Sequence, residues 1–402
     1  MLSLKKISSN YRDVFLLSFI AIIIGIIVGA IDTLFGRVLL EITDIRSNYI
    51  FQLIPFLPLA GIIIIFTYSK IGKNSIKGMS LILSIEFKEG TIPKRLVPLI
   101  MASTWLTHLF GGSAGREGVA VQIGGTVARS IGRQLSIKNN SKTLLITGMA
   151  AGFAGLFQTP VAAIFFAMEI LTGPVEYYAL IPCIIASFVA SYTSHTLGLE
   201  KFGVNLNCSL ELSIYLILKV VLLGILFGII GGLFAYILNL SKRFFGNRIS
   251  NPILKIFILG CILSFLLLLL HKGRYAGLGV NLIEASFFNE KIYGYDWLLK
   301  FLLTILTLSA GFQGGEVTPL FSIGASLGAI ISPILRLPTE FAAALGYIAV
   351  FGSATNTIIA SIFIGAEVFG YDYLPYFFIV SSISYVFNGN NSIYSSQKIL
   401  ND

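Results

Sequence analysis

Gly112-Ser113-Ala114-Gly115-Arg116-Glu117 and Gly311-Phe312-Gln313-Gly314-Gly315-Glu316 are two glycine-rich segments, each ending on a glutamate and each leading into apolar sequence. Aligned with one another they stand 199 positions apart, Glu117 on Glu316. A carboxylate at membrane depth costs roughly 2.5–3.5 kcal/mol on insertion scales, so it rarely stays there without a role. Two half-chains, each bringing an acidic glycine-rich break, point to a transport site between them.

Composition sets the class around these breaks. Of 402 residues, 55% are hydrophobic and 12% charged, where soluble domains carry about 25% charged residues. The runs Val14–Ala30, Ile50–Phe66, Ile214–Leu240, Ile253–Leu270 and Trp297–Ala310 reach or approach the roughly 20 residues that span a bilayer. The chain reads as an all-α polytopic membrane protein, multi-pass in the cell membrane with the lipid bilayer around it. The first run is too long for a signal-peptide core and no small-residue cleavage site follows, so it is retained. Lys5, Lys6 and Arg12 ahead of it place the N-terminus in the cytoplasm.

The net charge of +9 does not indicate nucleic acid. The bases sit in short clusters between apolar runs, at Lys70/Lys73/Lys77, Arg129/Arg133/Lys138/Lys142 and Lys242/Arg243/Arg248, as positive-inside loops do. Cys183, Cys208 and Cys261 are scattered, as are His108, His195 and His271. They form neither a disulfide framework nor a metal set, and no cofactor is expected. The last apolar run closes near Val386 with only a short tail beyond it. Residues 1–402 are therefore expected to form a single transmembrane domain without a soluble regulatory domain.

The repeat extends beyond the breaks. Gly25 and Gly29 match Gly224 and Gly228 at a shift of 199, and Gly148 to Glu169 match Gly346 to Glu367 at 198. Within the later stretch Phe153/Phe351, Thr159/Thr357, Phe165/Phe363 and Glu169/Glu367 are identical. The repeats are expected at about 14–171 and 212–370, followed by a C-terminal segment, 371–402. The first helix carries its bases before it, and its counterpart Ile214–Leu240 carries them after it, at Lys242, Arg243 and Arg248. By the positive-inside rule the two run in opposite directions, so the repeats are inverted. Short segments such as Val97–Leu109, Leu144–Leu156 and Val161–Leu171 need protein or a water-filled cavity around their ends.

A glycine cluster leading into a helix leaves free N–H groups and the positive end of a dipole, which together bind an anion without a full charge. Lys77-Gly78-Met79-Ser80, Gly115-Arg116-Glu117-Gly118 and Gly314-Gly315-Glu316-Val317-Thr318-Pro319 fit that description. Gly25/Gly29 and Gly224/Gly228 read instead as close helix packing.

Gly115-Arg116-Glu117-Gly118, continued by Val121-Gln122-Ile123-Gly124-Gly125, resembles the signature of the CLC family of anion channels and proton-coupled exchangers. Gly314 to Pro319 resembles its second signature, and Ser392-Ile393-Tyr394-Ser395 its C-terminal tyrosine motif. The resemblance implies a CLC-type inverted-repeat fold with many short, tilted and re-entrant helices, a homodimer, and one anion pathway per subunit. It implies that Glu117 is the gating glutamate, taking an anion position when ionised and leaving it when protonated. It puts the Tyr394 hydroxyl and the amides around Gly315, Glu316, Val317 and Thr318 at the central anion.

Departures narrow the branch. The family's Gly-Ser-Gly-Ile-Pro stretch is here Gly78-Met79-Ser80-Leu81-Ile82, so Met79 replaces a chloride-contacting serine. Val119 replaces a proline, and Ile170 stands where chloride exchangers carry an internal proton glutamate. Glu316 and Thr318 replace more usual apolar residues. Together these resemble the fluoride-transporting branch, which implies a fluoride/proton antiporter that exports fluoride, with fluoride and protons as its ligands. A thioether and aromatic ring edges are weakly polar and can close around a small ion.

The nearest alternative is a chloride/proton exchanger or passive anion channel on the same fold. A remote one is an intramembrane enzyme, since Gly111-Gly112-Ser113-Ala114-Gly115 matches a nucleophile elbow. That motif needs a strand-turn-helix setting and a histidine–acid pair, so the chain is not expected to be an enzyme. Glu169 and Glu367 are open between proton transfer and a structural duty at two equivalent helix ends, with repeat symmetry favouring the second.

Overall fold

The structure, a computed structural model, describes residues 4–72, 78–84, 92–135, 141–171, 177–206, 208, 213–288, 290–394 and 397. Lys73, Lys77, Lys138 and Ser395, drawn on above, lie outside them. The first half runs through α1 (Leu4–Asn48), α2 (Ile50–Leu53), α3 (Leu57–Lys70), α4 (Met79–Ser84), α5 (Leu96–Leu109), α6 (Glu117–Gln134), α7 (Ser141–Phe157), α8 (Pro160–Ile170) and α9 (Tyr177–Thr196). The second half follows with α10 (Ile214–Arg248), α11 (Pro252–Leu269), α12 (Val280–Phe287), α13 (Asp296–Ala310), α14 (Val317–Leu335), α15 (Thr339–Thr355), α16 (Ile359–Phe369) and α17 (Leu374–Val386).

Local chemistry sets many of these boundaries. Ser213 accepts the Leu216 N–H at the start of α10, and Asn251 caps α11 through the N–H groups of Ile253 and Leu254, with Pro252 in the first turn. Pro160 opens α8, where its missing N–H costs nothing. α13 stops at Gly311 (φ 108°), and the Phe110 cap of α5 is followed by Gly111 (φ 91°); both glycines are in the left-handed region, which a side chain would resist.

Among the described residues, six helices are long and apolar enough to cross a membrane. The 45-residue α1 and 35-residue α10, at about 1.5 Å per residue, exceed a hydrocarbon core of about 30 Å and must tilt or project from it. α8 and α16, at 11 residues each, are far too short to span. Large apolar side chains face outward along the long helices, among them Phe15, Phe19, Leu218, Leu222 and Phe265. α14 lies deeper: 72% of its most apolar window is buried, against 33% for α11. This is a multi-pass membrane protein whose centre is built from the helices that begin at the breaks.

Equivalent helices pack in equivalent ways. α1 lies against α9 and α7, and α10 against α17 and α15. A β-carbon on Gly25 would come within 2.8 Å of Val189, and one on Gly224 within 2.8 Å of Ile383, so the expected close packing is present in both halves. α6 crosses α7 with Gly124 against Gly148, and α14 crosses α15 with Gly324 against Gly346. At each crossing a β-carbon would collide with the opposing backbone, so the small residue is a condition of the approach.

Two pairs of equivalent residues meet directly. Phe165 and Phe363 stack with centroids 5.0 Å apart. Gly115 and Gly315 form an antiparallel bridge, each donating its N–H to the other's carbonyl. That bridge corrects the alignment of the breaks. Gly111 pairs with Gly311 and Gly115 with Gly315, while α6 begins at Glu117 and α14 at Val317. The shift there is 200, so Arg116 corresponds to Glu316, and Glu117 to Val317.

Candidate anion and proton site

The two breaks abut at the head of α6 and the head of α14. Beyond the glycine bridge, the α11–α12 connection closes the same region: Gly277 donates to the Gly112 carbonyl (3.2 Å) and Ala114 to the Gly277 carbonyl (3.3 Å). Each break thereby satisfies its backbone groups against another break or loop, as irregular chain inside a membrane must.

Glu117 stands in the first turn of α6 and is 1% exposed. Its carboxylate touches its own helix only at the Arg116 cap and otherwise leaves it. It reaches the first turn of α14, where Thr318 donates its hydroxyl (2.6 Å) and its backbone N–H (3.2 Å) to Oε2. The Arg116 N–H lies 3.3 Å from the same oxygen, and Arg116 Nε lies 3.6 Å from Oε1. A carboxylate oxygen thus fills a seat made of backbone amide, hydroxyl and helix dipole, a set of donors that serves a small anion equally well.

The other sequence-predicted residues fall into two groups. Gly115, Arg116, Gly118, Gly315, Glu316, Val317 and Thr318 all come together at this junction, with Gly118 facing the α-carbon of Gly315. Glu316 occupies the residue just before α14, makes no capping hydrogen bond with its side chain, and is 14% exposed, so one side of the junction reaches the surface. Tyr394 is buried, meets Phe166 edge-on at 6.4 Å, and its hydroxyl has no hydrogen-bond partner among the described residues. Gly78, Met79 and Ser80 are half-buried at the head of the six-residue α4, which packs on α6, with Gly78 nearest the Gln122 side chain. No contact between them and Glu117 is seen.

Glu169 and Glu367 are resolved as reciprocal caps. Glu169, at the end of α8, accepts the N–H groups of Ile358, Ile359 and Ala360 at the start of α16. Glu367, near the end of α16, accepts those of Val161 and Ala162 at the start of α8. Ile170 is fully buried beside Glu169.

Sequence reading missed Lys300. It lies inside the run Trp297–Ala310 and is fully buried on α13. Its three N–H groups reach the Ser113 hydroxyl (2.9 Å) and the carbonyls of Tyr275 (3.2 Å) and Gly277 (2.7 Å). A lysine in an apolar run was itself the signal, since only internal acceptors let it stay. Ser113, the elbow serine, is also bonded to the Thr304 hydroxyl at 2.9 Å, so it braces the break and carries no histidine partner among the described residues. Arg46 adds a further brace, donating to the His108 carbonyl at 2.9 Å.

Comparison with known proteins places this geometry. The sequence profile of the family described as voltage gated chloride channel matches residues 60–389. A protein of Pseudomonas syringae pv. tomato named chloride/fluoride channel protein is 34% identical over 386 residues, 94% of this chain and 85% of that one. A solved structure described as a CLC-type fluoride/proton antiporter superposes with a TM-score of 0.95 at 50% identity, covering 96% of this chain and 99% of that one. A slow cyanobacterial Cl-/H+ antiporter superposes with a TM-score of 0.83 at 19% identity, covering 94% and 96%, and so shares the fold.

Proposed function

Because the chain belongs to the voltage-gated chloride channel (CLC) family, we propose that it is a fluoride/proton antiporter that exports fluoride across the cell membrane. One observation carries the reading: the Glu117 carboxylate sits in the donor set at the head of α14, where an anion would sit. The similarity to a fluoride/proton antiporter and to a chloride/fluoride channel protein supports fluoride as the anion.

The exchange follows from competition for that seat. Ionised, Glu117 accepts from Thr318 and excludes a second negative charge. Protonated, it loses its strongest acceptor character and swings out, leaving the Thr318 amide and hydroxyl to fluoride. Return of the carboxylate expels the ion and releases the proton on the other side. Glu316, at the surface-reaching flank of the junction, is placed to carry protons inward where Ile170 offers no carboxyl. In this reading Tyr394, whose hydroxyl has no hydrogen-bond partner among the described residues, and Gly78, Met79 and Ser80, at the head of α4 packed on α6, line the rest of the anion route. The working unit is a homodimer with one pathway per subunit and cytoplasmic N-termini.

Fluoride efflux from liposomes, followed with an ion-selective electrode with and without a pH gradient, tests the reading. Glu117→Gln keeps the side chain's shape and removes its charge change, so proton movement coupled to fluoride is expected to vanish. Persistent uphill proton movement in that variant would sink the scheme. Efflux that ignores the pH gradient in the wild type, or prefers chloride, would favour a passive channel or chloride exchanger on the same fold.

A further inference from the structure

Glu316 has a second partner besides the junction. Its Oε1 lies 3.6 Å from the Lys242 ammonium on α10, which is 41% exposed. Its Oε2 lies over Gly118, 3.9 Å from where a β-carbon of that residue would stand. Glu316 therefore spans from the residue next to Glu117 to a wet lysine. Lys242 is aimed there by the helix: Asn239, one turn earlier on the same face, donates to the Ser392 carbonyl at 2.8 Å and so holds α10 against the segment carrying Tyr394. The neighbouring bases are engaged elsewhere. Arg243 donates to the Asn239 carbonyl, and Arg248 lies over the Phe244 ring at 6.0 Å.

We propose that Lys242 is the anion-capture residue of the inner mouth, held by Glu316 at rest and handed to incoming fluoride when an ion arrives. The proposal rests on the antiporter reading. A half-exposed ion pair adds little to stability, so stability gives no reason for a lysine here. An ammonium at the mouth of a low-dielectric cleft does concentrate anions ahead of it. Lysine suits the task, being a compact point charge on a flexible stem that can exchange one oxygen or fluoride for another. The pair also keeps count of charge: Glu316 and fluoride compete for one ammonium, so an entering ion frees the Glu316 carboxylate beside Glu117. Lys242 from α10 lies within ion-pair distance of Glu316, and Arg116 and Glu117 stand at the same junction from the head of α6.

Membrane vesicles of uniform orientation test this. Inside-out vesicles present the cytoplasmic face to added fluoride, and right-side-out vesicles present the other. Lys242→Met is expected to raise the KM for fluoride about tenfold in inside-out vesicles, to flatten its dependence on ionic strength, and to leave the KM of right-side-out vesicles in place. Lys242→Arg is expected to restore most of the loss, and Arg243→Gln to leave the KM unchanged. A purely structural lysine would lower the maximal rate in both vesicle types without altering the salt dependence. Unchanged KM and salt dependence in Lys242→Met, with transport active, would overturn the proposal alone. A KM effect confined to right-side-out vesicles would overturn the assignment to the inner mouth. Wild-type vesicles that move no fluoride would overturn the antiporter reading and this one together.

Discussion

At the scale of single residues, the proposed exchange rests on how firmly Glu117 is held. The Thr318 hydroxyl is its shortest contact, at 2.6 Å, and the amide beside it remains whatever the side chain. Hydrogen bonds to charged groups contribute about 1.5–3 kcal/mol, so Thr318→Val should weaken the carboxylate's hold on the seat by roughly 10- to 100-fold. More fluoride is then expected to pass per proton, measured as the ratio of fluoride to proton flux in liposomes. An unchanged ratio would mean that the amide alone holds Glu117. The Glu117 position was legible in sequence because a glutamate between glycines in apolar surroundings is a local anomaly. Thr318's part was not, because its partner lies 201 residues away.

At the scale of elements, the two acidic caps tie α8 and α16 into one unit. Each glutamate reaches the opposite helix's amino end, where free N–H groups and the helix dipole favour negative charge. With Phe165 stacked on Phe363 between them, the contact is symmetric. Glu169→Gln and Glu367→Gln should each cost about 1–2 kcal/mol and lower the melting temperature in detergent, while coupling of fluoride to protons is retained. Loss of coupling in Glu169→Gln at unchanged melting temperature would return that residue to the proton route. Sequence symmetry had already favoured a structural duty, since two residues related by the repeat are more simply explained by two equivalent helix ends than by one proton path. The register of the breaks differs by one position from the alignment of the two glutamates. Thr104/Thr304, Thr107/Thr307 and Gly111/Gly311 repeat at 200 in the sequence itself, but the glutamates drew the alignment to 199.

For the whole molecule, the antiparallel bridge between Gly115 and Gly315 marks where the halves meet, and the long helices α1 and α10 stand outside it. Opposite placement of basic clusters on those two helices is the basis of the proposed orientation. An N-terminal tag is therefore expected to be cleaved by added protease only in inside-out vesicles. Cleavage in right-side-out vesicles would reverse the transport direction assigned above. Lys300 shows how such a scaffold accommodates a buried lysine: three acceptors from the first break and the α11–α12 connection surround it, none of them acidic.

The chain by itself determined the membrane class, the broken helices and the repeat, and singled out Glu117 as the residue to which a gating role is proposed, because hydropathy, glycine spacing and an out-of-place carboxylate are written in neighbouring residues. Only the tertiary structure decided whose donors hold that carboxylate, which residues of the two breaks are true equivalents, and that Lys242 reaches Glu316. The physical reason is common to all three. Backbone N–H groups carry no side-chain signature, and electrostatic partners brought together by inverted halves are chosen by packing, not by proximity along the chain.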